Sequence, residues 1–182
     1  VNGMSINAWV NSSGTLRGIV SRYSTSGNNQ FFVFRIDING KLNFQIHQNG
    51  NDTYCLTSSS TTPIGNIWNM ITATYNKTEV RIYLNGNLDS NTTCSFNGIN
   101  QTAWQDYEDV IIGRLTSGGL DGTIDELGFW NKSLSAQEVS DLYNLKNDTY
   151  FWYVESNEYN ANNSRVNSSL FQFTIGSTTN TC

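Results

Sequence analysis

The chain has 182 residues, of which 14% are charged, and its formal net charge is −5 with a sequence pI near 4.7. An acidic chain of this kind offers no basic stripe to neutralise phosphates, which argues against nucleic acid as a partner. No apolar run reaches the roughly 18–20 residues of a membrane span, so the sequence predicts no transmembrane segment in this chain. Polarity comes mainly from 26 Asn and from 39 Ser and Thr residues, a composition that favours an extracellular protein. The chain opens at Val1 without an initiator Met or a signal peptide, and we expect a processed or excised fragment.

Short strands separated by turn residues are predicted over most of the chain. We predict strands at residues 5–10, 18–23, 30–38, 41–47, 68–75, 79–84, 109–115 and 122–130. Turn signals recur about every 8–12 residues, and the single proline, Pro63, lies in a Ser/Thr-rich loop. This pattern indicates an all-β sandwich or jelly roll.

The clearest hairpin joins residues 30–38 to residues 41–47 through Asn39-Gly40, which suits a type I′ turn. In its second strand, apolar and polar residues alternate, which predicts one buried and one wet face. The single histidine, His47, falls on the predicted wet face, together with Asn43. We therefore predict that His47 is a surface side chain rather than a catalytic base.

One short helix is predicted at residues 135–144. Ser135 and Glu138 have the S-x-x-E spacing of a capping box. Val139, Leu142 and Tyr143 then form one apolar stripe. Because an isolated helix of this length is marginal in water, we expect the stripe to dock on the sandwich.

The three cysteines are too sparse for a metal cluster. In an extracellular setting we predict a Cys55–Cys94 bridge, and two free cysteines are the alternative. Closing that 39-residue separation would stabilise the fold by about 4 kcal/mol in the chain-entropy model. Cys182 is then left over and would pair with a segment outside this chain.

Nine N-x-[ST] sequons occur, where roughly six are expected by chance for this composition. Their acceptors are Asn11, Asn51, Asn76, Asn91, Asn100, Asn131, Asn147, Asn162 and Asn167. The first six fall in expected turns between strands, where a glycan is tolerated. We therefore predict N-glycosylation of several of these residues.

A family resemblance is carried by motifs in a characteristic order. SINAWV, GIVSRY, WNMITATYN, VRIYLNG, IIGR and GTIDELGFWNKSLSAQEVSDLYN follow one another between residues 5 and 144. This series resembles LamG-like domains of the concanavalin A-like group, which have a Trp-led strand, a Y-x-N-G turn, and G-x-I-D-E followed by L-S-x-x-E-[IV]. The resemblance implies a concanavalin A-like (LamG) jelly-roll sandwich of two curved antiparallel sheets over residues 1–146.

Residues 147–182 form a separate region, in which two aromatic strands at 150–155 and 169–175 predict a C-terminal β-hairpin. This hairpin resembles the last two strands of immunoglobulin or fibronectin type III-like repeats. Members of the LamG-like family usually carry a strand before the SINAWV equivalent, and no such strand precedes it here. We therefore predict that the hairpin pairs with strands outside the core sandwich, in the sharpest version with those of another chain.

Catalysis is not expected. Glucanases on this scaffold resemble one another in an E-x-D-x-x-E strand motif that supplies two carboxylates. The nearest stretch here, residues 123–127, lacks the first and the last Glu. Asp125 and Glu126 are adjacent in a predicted strand, so alternation places them on opposite faces.

A structural calcium ion is one expectation for the loop around Gly122. Asp121 and Asp125 flank this glycine and carry the oxygen ligands that Ca²⁺ prefers. The resemblance implies a calcium role for the Asp of the I-D-E motif, although the acidic ligands that pentraxin-like relatives carry after IIGR are missing at residues 115–117. The alternative is that Asp125 accepts hydrogen bonds from the neighbouring turn.

A glycan site is predicted from exposed aromatic rings, which stack on the apolar faces of sugars while amides and carboxylates bind the hydroxyls. Trp104 lies in the polar connection 97–108 near Asp106 and Tyr107, and we predict that these three residues contact a glycan. The alternative is that Trp104 covers a sheet edge. The tryptophans at strand positions are predicted to be core: Trp9, Trp68 and Trp130.

Two function hypotheses follow. The first is a non-catalytic, extracellular, cell-surface module for glycan recognition or adhesion, which the family resemblance implies. The second is a structural subunit of an extracellular filament or sheath, assembled by strand pairing between chains at open β edges.

Overall fold

The computed structural model describes residues 3–23, 30–48, 54–63, 65–96, 109–115, 118–145, 149–152, 155–157, 165–167 and 171–174. The chain divides into two compact units, Val1–Tyr143 and Asn144–Cys182.

Two five-stranded antiparallel sheets build the first unit. Sheet A contains, in spatial order, β12 (Gly122–Trp130), β1 (Met4–Ser12), β6 (Trp68–Tyr75), β7 (Glu79–Leu84) and β8 (Asn87–Thr93). Sheet B contains β5 (Tyr54–Ser58), β4 (Leu42–His47), β3 (Gln30–Ile36), β2 (Arg17–Tyr23) and β9 (Ile111–Ile112). A small antiparallel pair, β10 (Arg114–Leu115) and β11 (Gly118–Gly119), precedes β12.

Alternate residues of both sheets point into one shared core. Ile6 and Ala8 of β1 meet Phe34 of β3 and Phe44 of β4 in this core, and all four are fully buried. Burying one large apolar side chain contributes about 1.5–3 kcal/mol, so this layer is the main source of stability. The arrangement confirms the predicted concanavalin A-like sandwich.

Most predicted strands are confirmed within two residues of their ends, but β5 and β8 were not predicted. The sequence of β8, NLDSNTT, contains one apolar residue, so it carries no hydrophobic alternation. Its backbone pairing with β7 makes it a strand despite that composition. The strand predicted at 109–115 is divided by Gly113, whose φ of 70° is outside the β region.

The hairpin turn between β3 and β4 differs from the prediction. Gly40 has a φ of 76°, while Asn39 is not among the residues with positive φ, so Asn39-Gly40 is not a type I′ turn. The Asp37 carboxylate orders the turn instead, since it accepts the N–H groups of Asn39 at 2.8 Å and Lys41 at 2.9 Å. Asn85-Gly86, with φ of 49° and 80°, has the positive φ values of a type I′ turn.

The predicted wet face of β4 is wrong at two positions. Asn43 and His47 are 4% and 3% exposed. Asn43 donates from Nδ2 to Ser58 Oγ at 2.8 Å, and the His47 ring lies 5.2 Å from that of Tyr54. Alternation assigns a residue to a face of the sheet, but it does not tell whether that face is solvated.

Helix α1 (Ala136–Tyr143) confirms the predicted helix and its cap. Ser135 Oγ accepts the Glu138 N–H at 3.2 Å, and Glu138 Oε2 accepts the Ser135 N–H at 2.8 Å. Val139 is fully buried and packs with Met70 and Tyr83 on the outer face of sheet A. In the part of the chain that the structure describes, no helix has the length and apolar character of a membrane span.

A disulfide links the two sheets where their edge strands, β5 and β8, lie side by side, and we call this border the seam. The predicted Cys55–Cys94 disulfide is present, with Cα atoms 5.2 Å apart. Thr57 Oγ1 and Ser90 Oγ lie 3.2 Å apart along the same seam. The bridge therefore ties one edge of sheet A to one edge of sheet B.

Asp89 closes one end of this seam. Its carboxylate accepts hydrogen bonds from the Thr61 hydroxyl at 2.8 Å and from the Ser60 hydroxyl at 3.0 Å. Partial burial raises the pKa of Asp89, but the hydrogen bonds from Ser60 and Thr61 outweigh it, so the pKa is lowered overall. The ionised carboxylate fastens the loop after β5 to β8.

The described residues of the second unit form two short antiparallel pairs. Strand β13 (Thr149–Trp152) pairs with β16 (Phe171–Thr174), as predicted for the aromatic hairpin. A pair that was not predicted, β14 (Glu155–Asn157) with β15 (Arg165–Asn167), lies between them in sequence. Membership of an immunoglobulin or fibronectin-like repeat stays a prediction.

Candidate functional site

The outer face of sheet A is covered by α1 only in part. Tyr143, the last residue of α1, stacks on Trp9 with ring centroids 5.8 Å apart and planes at 24°. Tyr143 also packs on the β7–β8 turn, because a Cβ at Gly86 would lie 2.9 Å from the Tyr143 Cβ. The helix ends there, and β12, β1 and β6 extend beyond it.

One outward row of residues lies past the end of the helix. Asn11 pairs directly with Trp68 on one side and with Thr123 on the other. These residues share the outer face with Trp9, because Asn11 is two residues from it along β1. Trp68 is 44% exposed, Thr123 is exposed and Asn11 is half-buried. Asp125, the partner of Trp9, is exposed beside this row, and we call Asn11, Trp68, Thr123 and Asp125 the Trp68 surface.

A β-bulge shapes the acidic side of this surface. Trp9 pairs with Asp125 while Asn7 pairs with Gly128, so β12 carries an extra residue between these pairs. Glu126 has a φ of 50°, and its N–H donates to Asp125 Oδ1 at 2.8 Å. The bulge interrupts the strand alternation at Asp125 and Glu126, and both side chains are exposed.

The side chains of the Trp68 surface suit a ligand that is polar but uncharged. The indole offers an exposed apolar ring, on which the apolar face of a sugar can stack. The Asn11 amide donates and accepts hydrogen bonds, the Thr123 hydroxyl does both, and the Asp125 carboxylate accepts them. An apolar platform with a few convergent polar groups is the usual composition of a small-ligand site.

Trp68 is the residue that the sequence interpretation placed wrongly. It was predicted to be core together with Trp9 and Trp130, and only those two pack against a buried cluster. The inward residues of β6, such as Ile71 and Ala73, alternate out of phase with Trp68. That alternation could have placed Trp68 on the outer face, and its position at the first residue of β6 could have indicated exposure.

The glycan contacts predicted from the sequence, Trp104, Asp106 and Tyr107, lie outside the described residues. The calcium prediction also stays a prediction. Asp121 and Asp125 are exposed, and the Asp121 carbonyl oxygen accepts the Ser12 hydroxyl at 2.9 Å. Within the described ranges, no group of three or more His, Cys, Asp or Glu side chains is placed to hold a metal ion.

The sequons differ in their local structure. Asn76 and Asn131 lie outside strands and are exposed, as predicted. The predicted turn position is wrong for Asn11, because β1 continues to Ser12, and for Asn91, because it lies within β8, which the sequence analysis does not predict. Asn91 donates to the Glu79 carboxylate. The acceptor side chains not described are Asn51, Asn100, Asn147, Asn162 and Asn167.

The sequence pattern of one family covers most of the chain. The model of the concanavalin A-like lectin/glucanases superfamily matches residues 1–140. The chain therefore belongs to this superfamily. A search of curated proteins found no matching sequence.

Solved structures with the same fold include receptor-binding and carbohydrate-related proteins. A structure of botulinum neurotoxin type C, whose cell entry depends on interaction with two ganglioside molecules, is 20% identical with a TM-score of 0.60, and the match covers 84% of this chain and 41% of that chain. The binding domain of botulinum neurotoxin DC in complex with rat synaptotagmin II is 16% identical, with a TM-score of 0.61 and coverage of 85% and 42%. A candidate carbohydrate-binding protein from Bacteroides ovatus is 17% identical, with a TM-score of 0.58 and coverage of 76% and 40%.

These likenesses establish a shared fold. At 16–20% identity they do not transfer a binding site. The chain spans about two fifths of the length of the structures it matches.

Proposed function

We propose that the chain is a non-catalytic glycan-recognition or adhesion module of an extracellular, cell-surface protein, and that the Trp68 surface binds the glycan. The observation that carries this proposal is the exposed indole of Trp68 in register with the polar side chains of Asn11 and Thr123. Tryptophan is enriched at interfaces, because its ring offers a large apolar surface together with one polar N–H group.

The binding step uses the outward row of residues on β6, β1 and β12. The apolar face of a pyranose ring stacks on the Trp68 indole, and its hydroxyl groups reach the Asn11 amide and the Thr123 hydroxyl. Asp125 lies one row further in, where it accepts hydrogen bonds from a neighbouring sugar unit. The paired strands fix the backbone positions of these residues, so no backbone segment has to become ordered on binding.

Charge around the surface favours uncharged oligosaccharides. Asp121, Asp125 and Glu126 are all exposed at this end of β12. An acidic sugar would meet like charges there, which costs free energy, whereas a neutral sugar meets only hydrogen-bond acceptors.

Further support comes from the family and the chain chemistry. The superfamily includes lectins, and two of the structures with the same fold concern ganglioside or carbohydrate binding. The Cys55–Cys94 disulfide favours an oxidising, extracellular compartment. Residues 123–127 lack two of the three acidic positions of the glucanase motif, which supports a non-catalytic role.

A binding screen with matched variants tests the proposal. The chain is applied to an array of immobilised uncharged and acidic oligosaccharides, and the dissociation constant is measured for the best uncharged binder. Trp68→Ala should weaken this binding about tenfold, which corresponds to about 1.4 kcal/mol. Leu88→Ala, at a residue 52% exposed on β8, is the control and should leave the affinity unchanged.

Trp104→Ala separates the two candidate sites. If Trp104→Ala abolishes binding and Trp68→Ala leaves it intact, the glycan binds at the residues predicted from the sequence. The proposal that the Trp68 surface binds the glycan is then contradicted. If no oligosaccharide binds the chain produced without N-glycosylation, glycan recognition itself is contradicted. The filament hypothesis stays a prediction, and no described contact favours it over binding.

A further inference from the structure

One of the sequons lies inside the proposed binding surface. Asn11 is the acceptor of the sequon Asn11-Ser12-Ser13, and it belongs to strand β1 rather than to a turn. Within the described part of the chain, the Asn11 amide has no hydrogen-bond partner, in contrast to Asn91, which binds Glu79. Its Nδ2 atom is therefore available on the outer face of sheet A.

The register fixes what a sugar on Asn11 would meet. Asn11 and Trp68 are direct partners on adjacent antiparallel strands, so their Cβ atoms lie about 4.5–5.5 Å apart. The Trp68 ring stacks on no other aromatic ring within the described residues. A sugar ring linked to Asn11 Nδ2 thus starts within reach of the partly exposed Trp68 ring.

The strand end that carries Asn11 is held firmly. Ser12 Oγ donates to the Asp121 carbonyl oxygen at 2.9 Å, and the Ser12 carbonyl oxygen accepts the Gly65 N–H at 3.1 Å. These bonds keep β1 in register with β12 and with the loop before β6. The same bonds hold the backbone at Asn11, so its Cα–Cβ bond leaves the strand on the outer face of sheet A.

We propose that Asn11 is N-glycosylated and that its first sugar stacks on Trp68, so the attached glycan occupies the Trp68 surface and blocks binding of other glycans. The blocking part rests on the proposed function, while the stacking part does not. The modification needs a lipid-linked oligosaccharide donor. The Asn11 Nδ2–C1 bond forms, the C1–O bond to the lipid phosphate breaks, the lipid phosphate leaves with the electron pair, and Nδ2 loses one proton.

The test uses the full chain secreted from a cell that glycosylates N-x-[ST] sequons. Ser13→Ala removes the sequon without changing Asn11 itself, and Ser13 is exposed. Thr78→Ala removes the sequon of Asn76 and is the matched control. Asn76 follows the far end of β6, about 25 Å along the strand from Trp68 at about 3.3 Å per residue. Peptide mass mapping of the wild-type chain should find a glycan on Asn11.

Thermal melting measures the stacking. When residue 68 is the wild-type Trp, the glycosylated chain should melt about 2 °C or more above the Ser13→Ala variant, because the stacked sugar exists only in the folded state. In the Trp68→Ala background, Ser13→Ala should produce no such difference. The Thr78→Ala variant reports what a distant glycan contributes.

Oligosaccharide binding measures the blocking. The Ser13→Ala variant should bind its best uncharged oligosaccharide at least about tenfold more tightly than the glycosylated wild type. The Thr78→Ala variant should bind like the wild type.

Three results would overturn the inference in separable ways. Absence of a glycan on Asn11 removes it entirely. A melting difference that persists in the Trp68→Ala background contradicts the stacking. Equal binding by the wild type and the Ser13→Ala variant contradicts the blocking, whereas failure of every variant to bind sugar, with the melting difference intact, contradicts only the proposed function.

Discussion

The outer face of sheet A has two regions that use the same strands in opposite ways. Under α1, the outward residues Met70 and Tyr83 are buried with Val139 of the helix. Past the end of α1, the outward residues of β1, β6 and β12 are Asn11, Trp68 and Thr123, and the indole is left 44% exposed.

The difference shows that contact with α1, rather than residue type, decides which side chains are buried on this face. Trp130 and Trp68 are both tryptophans on outward positions, yet Trp130 packs against the buried cluster under the helix. The helix ends at Tyr143, one row short of Trp68. Because Trp68 stays 44% exposed, it forgoes part of the stabilisation that full burial would give, and the proposed glycan site uses this exposed part.

Removing the disulfide should have the largest effect and should act on both regions together. Replacing Cys55 and Cys94 by Ser should lower the free energy of unfolding by about 4 kcal/mol, because the bridge closes a 39-residue separation. Urea unfolding, followed by circular dichroism and by Trp fluorescence, measures the loss. A loss below about 1 kcal/mol would contradict a stabilising role for the bridge.

A charge under the helix should destabilise the covered region selectively. Val139→Asp places an unpaired carboxylate in a fully buried position and should cost about 3 kcal/mol or more. Ala136→Asp adds the same charge at an exposed position in the first turn of α1 and should change stability by less than about 0.5 kcal/mol. Equal unfolding midpoints for the two variants would show that α1 is not docked as described.

The boundary between the regions depends on one stacked pair. Tyr143→Ala removes the ring that lies on Trp9 and should cost about 1 kcal/mol, since aromatic pairs contribute about 0.5–1.5 kcal/mol beyond their buried area. Trp9 should also become more accessible to acrylamide quenching. Tyr143→Phe keeps the ring and is the control, and equal quenching in both variants would contradict the stack as the cover of Trp9.

The covered region could be predicted from the sequence in some detail. Ser135 and Glu138 define the helix cap by their spacing alone, and the 3.6-residue period of Val139 and Leu142 identifies the docked stripe. Local hydrogen bonds and periodicity are properties of neighbouring residues, so no tertiary information is needed. The Cys55–Cys94 bridge was predictable because no other pairing inside the sandwich was available.

The open region was harder to predict, because its character comes from contacts that are distant in sequence. Strand register alone brings Asn11 beside Trp68 and Thr123. These two partners lie 57 and 112 positions away from Asn11 in the sequence. The bulge at Glu126 interrupts the alternation on which strand interpretation depends. The surface prediction for His47 was wrong for a related reason. Alternation assigns a polar residue to one face of a sheet, but whether that face is buried depends on tertiary contacts.

Trp68→Ala tests the exposure of the open region directly. The variant should lower the free energy of unfolding by about 1 kcal/mol, the usual size for a point substitution, because 44% of Trp68 is already exposed to water. Trp130→Ala is the same substitution on the same face, at a residue that packs under α1. It should lower the free energy of unfolding by about 3 kcal/mol or more. A comparable loss for both variants would show that Trp68 is packed in the folded protein and would weaken its role as a free binding platform.

The smallest expected effect concerns the helix cap, and it depends on pH. Hydrogen bonding to Lys132, and then to Ser135, lowers the pKa of Glu138 to about 2 from an ordinary value of 4.5. A group with a lowered folded-state pKa stabilises the fold above its unfolded pKa, and this contribution is lost as the pH falls from about 4.5 towards about 2. Glu138→Gln should therefore be slightly less stable than the wild type near neutral pH, and the two should converge at the acidic end of this window. The contribution is small because the Lys132–Glu138 pair is exposed to solvent. A difference between the two proteins that stays constant across the window would show that the ionised form of Glu138 does not hold the cap, and the covered region would then depend on the apolar contacts of Val139 alone.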